Sequence, residues 1–406
     1  MDKHSKKSSS LLHYPVLVVF SLFFIGLFAL DLITPDRAYS EMENTTLSQR
    51  PALTQLSAKG LNSYFTAYTK YVKDQVFGRD EWISLQSVVE TTLLQKEQNG
   101  GILLGKEHMM FPRTFGLLDS ENRTLPKNTA AVEALCQRHP GKVDVLLAPA
   151  ASVIYPENVP ANAPLLDEDA YLDQLSAAVQ AAGGRFVDVR QTLAEHKDEY
   201  IYYRTDHHWT QLGAYYAYTA FCEAAGFDAV PLEQFQTGRY DTFLGSMYTF
   251  TKGYPQSDVL KQHPDYLDYY LPIADTHARY YADGSLENGT PVSVVYTQLD
   301  ESVSNKYLCF IGGDTPVCIV ESDVQGPTCI VLKESYGNAF VPFLTSHYGR
   351  IIVIDPREFN QEGKPTLDLA AFAADQGVDD LIVINYPYMI NSKAFVRYLN
   401  ALAGVK

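Results

Sequence analysis

The five cysteines, Cys136, Cys222, Cys309, Cys318 and Cys329, form no Cys-x-x-Cys pair and show no metal-ligand spacing. Their pattern excludes a zinc ribbon, a thioredoxin-like redox motif and a dense disulfide scaffold. An odd number cannot all pair within one chain. Cys222, Cys309, Cys318 and Cys329 sit in apolar strand-like or helical stretches, where a free thiol packs as a small hydrophobe. A Cys309–Cys318 bridge is the one pairing left open, with free thiols preferred. Basic charge is also scarce: 32 Lys and Arg face 48 Asp and Glu, a net charge of −16. Nucleic acid, whose phosphates demand a basic surface, is excluded as a partner, and so is electrostatic binding to anionic headgroups. The simplest meaning of the acidity is solubility. Internal repeats are lacking. A Gly-x-Ser-x-Gly elbow is lacking too, which excludes an ordinary α/β-hydrolase, and there is no Gly-Asp-Ser near a mature N-terminus.

Apolar material is plentiful. Hydrophobic residues make up 46% of the chain and aromatics 12%, with 28 tyrosines, enough for a sizeable core and for amphipathic surfaces that stack on sugars. Leu11 to Leu30 contains no Asp, Glu, Lys or Arg. A bilayer core of about 30 Å needs about that many helical residues. Lys3, Lys6 and Lys7 precede the run; Asp31, Asp36, Glu41 and Glu43 follow it, opposed by Arg37. Basic flanks stay in the cytoplasm, so the remainder is expected to be extracytoplasmic, behind a single-pass anchor in the cell membrane. The rival reading is a cleaved signal peptide ending at Ala38-Tyr39-Ser40. The run exceeds the ~7–15 residues of a signal-peptide core and Ala38 lies far from its end, which favours an uncleaved anchor. Asn44, Asn122 and Asn288 begin Asn-x-Ser/Thr tripeptides, too common by chance to decide the host.

Three regions are expected: residues 1–35 as cytoplasmic tail and membrane anchor, 36–129 as stalk and helical segment, and 130–406 as the catalytic domain. Leu61, Tyr64, Phe65, Tyr68 and Tyr71 have helical spacing, Asn99-Gly100-Gly101 breaks the pattern, and Ile102 to Gly105 is strand-like. From about 130 onward strands alternate with helices. The strands are 143–149, 186–189, 328–333, 351–354 and 381–384; the helices are 170–182, 211–225, 338–344, 367–374 and 392–402. Continuous apolar strands between helices predict an α/β fold, a parallel sheet flanked by helices. Residues 230–325 break this rhythm and read as a β-rich insertion or lid. Strands are expected at 292–297, 307–311 and 317–320, with Gly312-Gly313-Asp314 as a hairpin turn.

The most informative stretch is Arg204-Thr205-Asp206-His207-His208-Trp209, followed by Ser335 within Lys333-Glu334-Ser335-Tyr336-Gly337-Asn338 at a strand-to-helix turn. These are the parts of a Ser-His-Asp hydrolase or acyltransferase. Ser335 is the expected nucleophile, His208 the base and Asp206 the group that orients it. In an extended backbone Asp206 and His208 share one side and His207 points away. The same geometry speaks against a metal held by Asp206, His207 and His208, so no metal or cofactor is expected. Bland alternatives stand beside each residue. Thr205 or Asp206 would N-cap the following helix, and Ser335 would cap its own. Trp209 is by default a core aromatic, otherwise a wall of the substrate pocket. Arg204 would hold an anionic group or form a salt bridge.

The Thr205–Thr210 segment resembles the signature of the DHHW protein family, which is similar to periplasmic alginate O-acetyltransferases and their SGNH-hydrolase-like domains. Asp206, His208 and Trp209 match that family's Asp-x-His-Trp motif. Ser335 matches the serine after a later strand, although the family tends to have Asp-Ser where this chain has Glu334-Ser335. Weaker likenesses lie at Phe77-Gly78-Arg79-Asp80, Ile154-Tyr155-Pro156-Glu157 and Tyr240 to Ser246. The resemblance implies an SGNH-like fold and O-acetylation of an extracellular polysaccharide, beside a membrane-bound O-acyltransferase that exports acetyl groups. SGNH enzymes use glycine and asparagine oxyanion donors, for which Gly337 and Asn338 are the candidates. Three functions are open: a serine O-acetyltransferase or acetylesterase, a non-catalytic glycan-binding or assembly protein, and a metal hydrolase. Loss of esterase activity in Ser335→Ala marks the first, glycan binding untouched by that change the second, and loss of activity on chelation the third.

Overall fold

The computed structural model describes residues 14–40, 45–52, 61–89, 93, 98–99, 101–112, 124–139, 142–163, 165–251, 260–300, 303–361, 363–386 and 393–404. Lys3, Lys6, Lys7, Leu11, Glu41, Glu43, Asn44, Gly100, Asn122 and Ser392, to which the sequence assigned roles, lie outside the described residues. The chain divides into two compact units: Met1–Lys96 with Thr249–Asp258, and Glu97–Tyr248 with Val259–Lys406.

The first unit contains the helices Pro15–Ile33, Leu61–Gln75 and Arg79–Val88. Proline at the opening position costs the first helix no hydrogen bond, because that N–H would be unpaired anyway. The helix has 19 residues with a mean hydropathy of 2.7, and none of its side chains is buried. By length and composition it can cross a membrane. Beyond it, Arg37 forms an ion pair with Asp80 at 2.8 Å, and Gly78 opens the third helix at a φ of 66°.

The second unit is built on an eight-stranded sheet. Its strands are β1 (Lys142–Leu147), β2 (Arg185–Val187), β3 (Thr276–Tyr281), β4 (Thr290–Val292), β5 (Val317–Ser322), β6 (Thr328–Lys333), β7 (Arg350–Ile354) and β8 (Asp380–Asn385), in the spatial order β4-β3-β5-β7-β6-β8-β1-β2. From β7 to β2 all neighbours are parallel. Apolar runs such as Cys329-Ile330-Val331-Leu332 suit this position, since alternate side chains enter opposite faces. Cys329 and Val331 join one buried cluster, Ile330 and Leu332 the other.

The sheet is mixed rather than wholly parallel. β5 pairs antiparallel with β7, β3 with β5, and β4 with β3. These strands come from the 230–325 region, so much of that region extends the main sheet. The strand expected at 307–311 is instead a 3-10 helix, Lys306–Cys309, and the one expected at 292–297 shortens to β4 and a bridge between Val295 and Phe310. Gly312 and Gly313 both have positive φ, 70° and 100°, but they follow this helical turn and no hairpin forms there. A pattern of apolar residues does not separate a 3-10 turn from a short strand. The five cysteines are buried and unpaired.

Helices Thr124–Arg138, Glu168–Ala181, Gln211–Ala225, Tyr336–Leu344, Leu369–Asp375 and Lys393–Leu402 accompany the sheet. Asp167, Thr210 and Asp368 cap their helices with side-chain oxygens that accept backbone N–H groups.

Candidate active site

The Asp206–His208 segment is the tip of a closed loop, not an extended strand. Tyr202 and Trp209 form an antiparallel bridge, and Thr210 N donates to Ile201 O at 2.9 Å. Thr210, rather than Thr205 or Asp206, then caps the next helix, its Oγ accepting from Gly213 N at 3.2 Å. Asp265, at the start of the Asp265–Tyr270 strand, secures the base of the loop. Its carboxylate accepts from Thr205 N at 2.7 Å, Thr205 Oγ at 2.5 Å, Arg204 N at 2.9 Å and the Tyr200 hydroxyl. The Tyr240–Ser246 segment closes over the tip: Ser246 N donates to Asp206 Oδ2 at 2.7 Å and Gly245 N to Thr205 Oγ at 3.0 Å. A Cβ at Gly245 would overlap Asp206, so only glycine lets this backbone approach the carboxylate.

Ser335 lies where β6 ends and the Tyr336–Leu344 helix begins, at the carboxyl ends of the parallel strands where ligands gather in open α/β sheets. It occupies the N-cap position, yet its hydroxyl makes no capping bond among the described residues. The hydroxyl instead lies 2.7 Å from His208 Nε2. His208 Nδ1 is 2.5 Å from Asp206 Oδ1, which also accepts from the His208 backbone N at 3.0 Å. These partners assign the proton to Nδ1 and leave Nε2 to accept from Ser335. Asp206 is 3% exposed and His208 6%, so the pair acts with little water around it. Burial pushes the Asp206 carboxyl upward. The attraction of His208 and His207 and the bonds from His208 and Ser246 outweigh it and hold the group well below the usual carboxylate range. Tyr307 stacks flat on the His208 ring, centroids 4.0 Å apart and planes 9° apart, which fixes the imidazole from its other side.

His207 does not point away, because the backbone bends where an extended strand was expected. Its ring lies 3.8 Å from that of His208, and its Nδ1 is 2.7 Å from Ser246 Oγ. Burial and neighbouring His208 push its pKa down, keeping it neutral. Asp206, His207 and His208 thus offer ligand atoms within 4.8 Å of one another, which removes the geometric objection to a shared ion. The donors are otherwise engaged, however: both ring nitrogens of His208 and Nδ1 of His207 already have side-chain partners.

Trp209 is wholly buried, in the core position that an indole takes by default. Its indole N–H donates to Tyr336 O at 3.1 Å, tying the loop to the nucleophile's helix. Trp209→Phe removes this bond and part of the buried ring's packing; a stability loss of about 1–3 kcal/mol is expected, read from the urea midpoint at unchanged slope. The Arg204 guanidinium lies over the Tyr200 ring, 5.7 Å from its centroid. Gly337 N and Asn338 N are committed to the first helical turn, donating to Glu334 O at 3.0 Å and Ser335 O at 3.1 Å. Neither is a free backbone donor for an oxyanion. Gly337 has a packing reason instead, since a Cβ there would overlap the Lys333 side chain. The Asn338 amide N–H donates to Asp314 Oδ1 at 3.2 Å. Asp314 also receives the fully buried Lys333 at 2.6 Å and Arg357 at 2.6 Å, a network that neutralises charge directly behind the nucleophile.

Ser246, Asp265, Tyr307, Asp314 and Glu334 are thus further members of the site. Ser246 had a signal, the likeness at Tyr240 to Ser246, and Glu334 had another, its place beside Ser335 in the second motif; Asp314 was visible only as part of a turn, and Asp265 and Tyr307 carry none. Fold and site together define an α/β protein with a hydrogen-bonded serine–histidine–aspartate chain at the end of its central strands. The family model described as DHHW protein matches residues 169–354, so the resemblance to that family holds. A probable alginate O-acetylase AlgJ of Pseudomonas syringae pv. tomato is 26% identical over 242 residues, 57% of this chain and 60% of that protein. Its namesake in Pseudomonas aeruginosa is 25% identical over 225 residues, 52% and 55% of the two chains. The chain therefore spans between half and two thirds of the length of these curated relatives. Among solved structures, a DHHW family protein from Eubacterium siraeum has 26% identity and a TM-score of 0.62, covering 75% of this chain and 97% of that one. Bacillus cereus PatB1, solved with a sulfonyl adduct, is similar in fold at 14% identity and a TM-score of 0.54, covering 72% and 96%.

Proposed function

We propose that this protein is a serine O-acetyltransferase or acetylesterase acting on a cell-surface polysaccharide. The observation that carries the reading is the continuous chain from Ser335 Oγ to His208 Nε2 at 2.7 Å and from His208 Nδ1 to Asp206 Oδ1 at 2.5 Å. Ser335 Oγ attacks the carbonyl carbon of an acetyl ester while His208 takes the hydroxyl proton. The tetrahedral adduct collapses, and His208 returns that proton to the departing alcohol oxygen. A sugar hydroxyl or water, deprotonated in turn by His208, then attacks the acetyl-serine, and the released proton restores the Ser335 hydroxyl. Asp206 stabilises the imidazolium at both stages.

The names of the Pseudomonas relatives support acetylation of a polysaccharide. The catalytic unit is SGNH-like in this reading, within a domain of residues 130–406. The apolar helix Pro15–Ile33 anchors it in the cell membrane with the site outside, where a membrane-bound O-acyltransferase supplies the acetyl group. A fluorophosphonate tests the reading, because it labels only an activated serine. The expected adduct is on the peptide containing Ser335, at a rate unchanged by a chelator. A rate that collapses on chelation and returns with a divalent ion makes Asp206, His207 and His208 a metal site instead, and intact protein that takes no label is a binding protein.

A further inference from the structure

Glu334 is an acidic side chain beside the nucleophile that the Ser-His-Asp chemistry leaves unused. It is 5% exposed. Its Oε2 lies 3.2 Å from Ser335 Oγ. Its Oε1 is buried without a hydrogen-bond partner among the described residues. An ionised carboxylate with an empty oxygen in such a place is strongly disfavoured, so the group is either neutral or completed by a ligand.

The charged and titratable groups around it come from several elements. His208 lies across Ser335, with Asp206 behind it. Asp314, already paired with Lys333 and Arg357, approaches from the segment before β5. The Tyr307 and Tyr336 phenols are close neighbours and stay neutral, raised by their own burial. Burial is the largest influence on Glu334 and pushes it up to about 7; His208, Arg357 and the Tyr336 N–H oppose the shift and Asp314 adds to it. The acid form is therefore fully present at mildly acidic pH and is lost as pH rises through neutrality.

Acyl transfer needs a donor where the carbonyl oxygen becomes negative. The backbone N–H groups of Gly337 and Asn338 are spent on their helix. We propose that Glu334 is a catalytic residue that, as the neutral acid, donates its O–H to the acetyl carbonyl oxygen as Ser335 Oγ adds to the carbon. This rests on the acyl-transfer reading of Ser335. The Oγ–C bond forms, the carbonyl π pair moves onto oxygen, and the Ser335 proton passes to His208. Glu334 keeps its own proton and shares it in a hydrogen bond. The ionised form works against the step twice: it repels the growing oxyanion and competes with His208 for the Ser335 proton. A protonated carboxylic acid in an apolar site is a known type of oxyanion donor.

The test follows kcat/KM for p-nitrophenyl acetate, and the rate of fluorophosphonate labelling, between about pH 5 and 9 in wild type, Glu334→Gln, Glu334→Ala and Ser335→Ala. The wild-type rate is expected to fall as pH rises past about 7. Glu334→Gln, whose amide donates at every pH, is expected to keep its rate there. Glu334→Ala should lose on the order of 10²-fold across the range. An alkaline fall that persists in Glu334→Gln overturns the proposal, and so does a wild-type profile that is flat on that side, for which no variant is needed. Turnover and labelling that survive Ser335→Ala remove the acyl-transfer reading itself, an outcome the Glu334 variants cannot mimic.

Discussion

Ser335→Ala is expected to lower acetate release from an acetyl ester by about 10⁴-fold or more, with the unfolding midpoint nearly unchanged. The size follows from the site's serial character. Without Oγ there is no nucleophile to receive the acetyl group, and the His208–Asp206 couple has nothing to deprotonate. Removing His208 should cost about as much, and removing both little more than either alone, because the groups act as one unit. Stability is spared because Oγ makes no helix-capping bond among the described residues; its partners are His208 and Glu334. A folded Ser335→Ala protein that turns over within tenfold of wild type would contradict the proposed chemistry.

Asp265→Ala is expected to cost about 3–5 kcal/mol of stability and at least ~10²-fold in kcat through lost positioning. The carboxylate is almost fully buried and accepts from two backbone N–H groups and two hydroxyls that together hold the base of the His208 loop. Alanine leaves those donors without an acceptor and frees the loop that aims the imidazole. Asp265→Asn keeps one acceptor oxygen and should recover part of both losses. Urea unfolding reads the first effect and ester turnover the second. If turnover is unchanged in a destabilised protein, Asp265 serves the fold without positioning the base.

Much of the second unit was legible beforehand, since a buried strand and an amphipathic helix each repeat a local pattern. The Gln211–Ala225 helix and the strand Thr328–Lys333 have the bounds their apolar runs imply. What misled was conformation at short polar or aromatic stretches. Asp206 to His208 alternate like a strand but bend, because Asp265, Ser246 and Gly245, far along the chain, supply the hydrogen bonds and the space that hold the bend. Tyr307 to Ile311 reads as a strand for a different reason: five apolar residues carry no period long enough to tell one conformation from another. Trp209 could not be assigned to core or pocket, because burial belongs to the packed chain.

The sequence by itself determined the chemistry on offer: an imidazole and a carboxylate two positions apart, a serine ahead of a helix, an apolar run long enough to span a bilayer, and too little positive charge for nucleic acid. Only the tertiary structure decided that His208 and Ser335, separated by 127 positions, stand 2.7 Å apart, and that Glu334 is shut in beside them with one oxygen unmet. The reason is physical. Side-chain identity and hydrophobic period are local properties of a segment. The order β7-β6-β8-β1, which carries the turn after β6 to the loop ahead of the Gln211–Ala225 helix, arises from pairing between distant strands and exists only once they have packed.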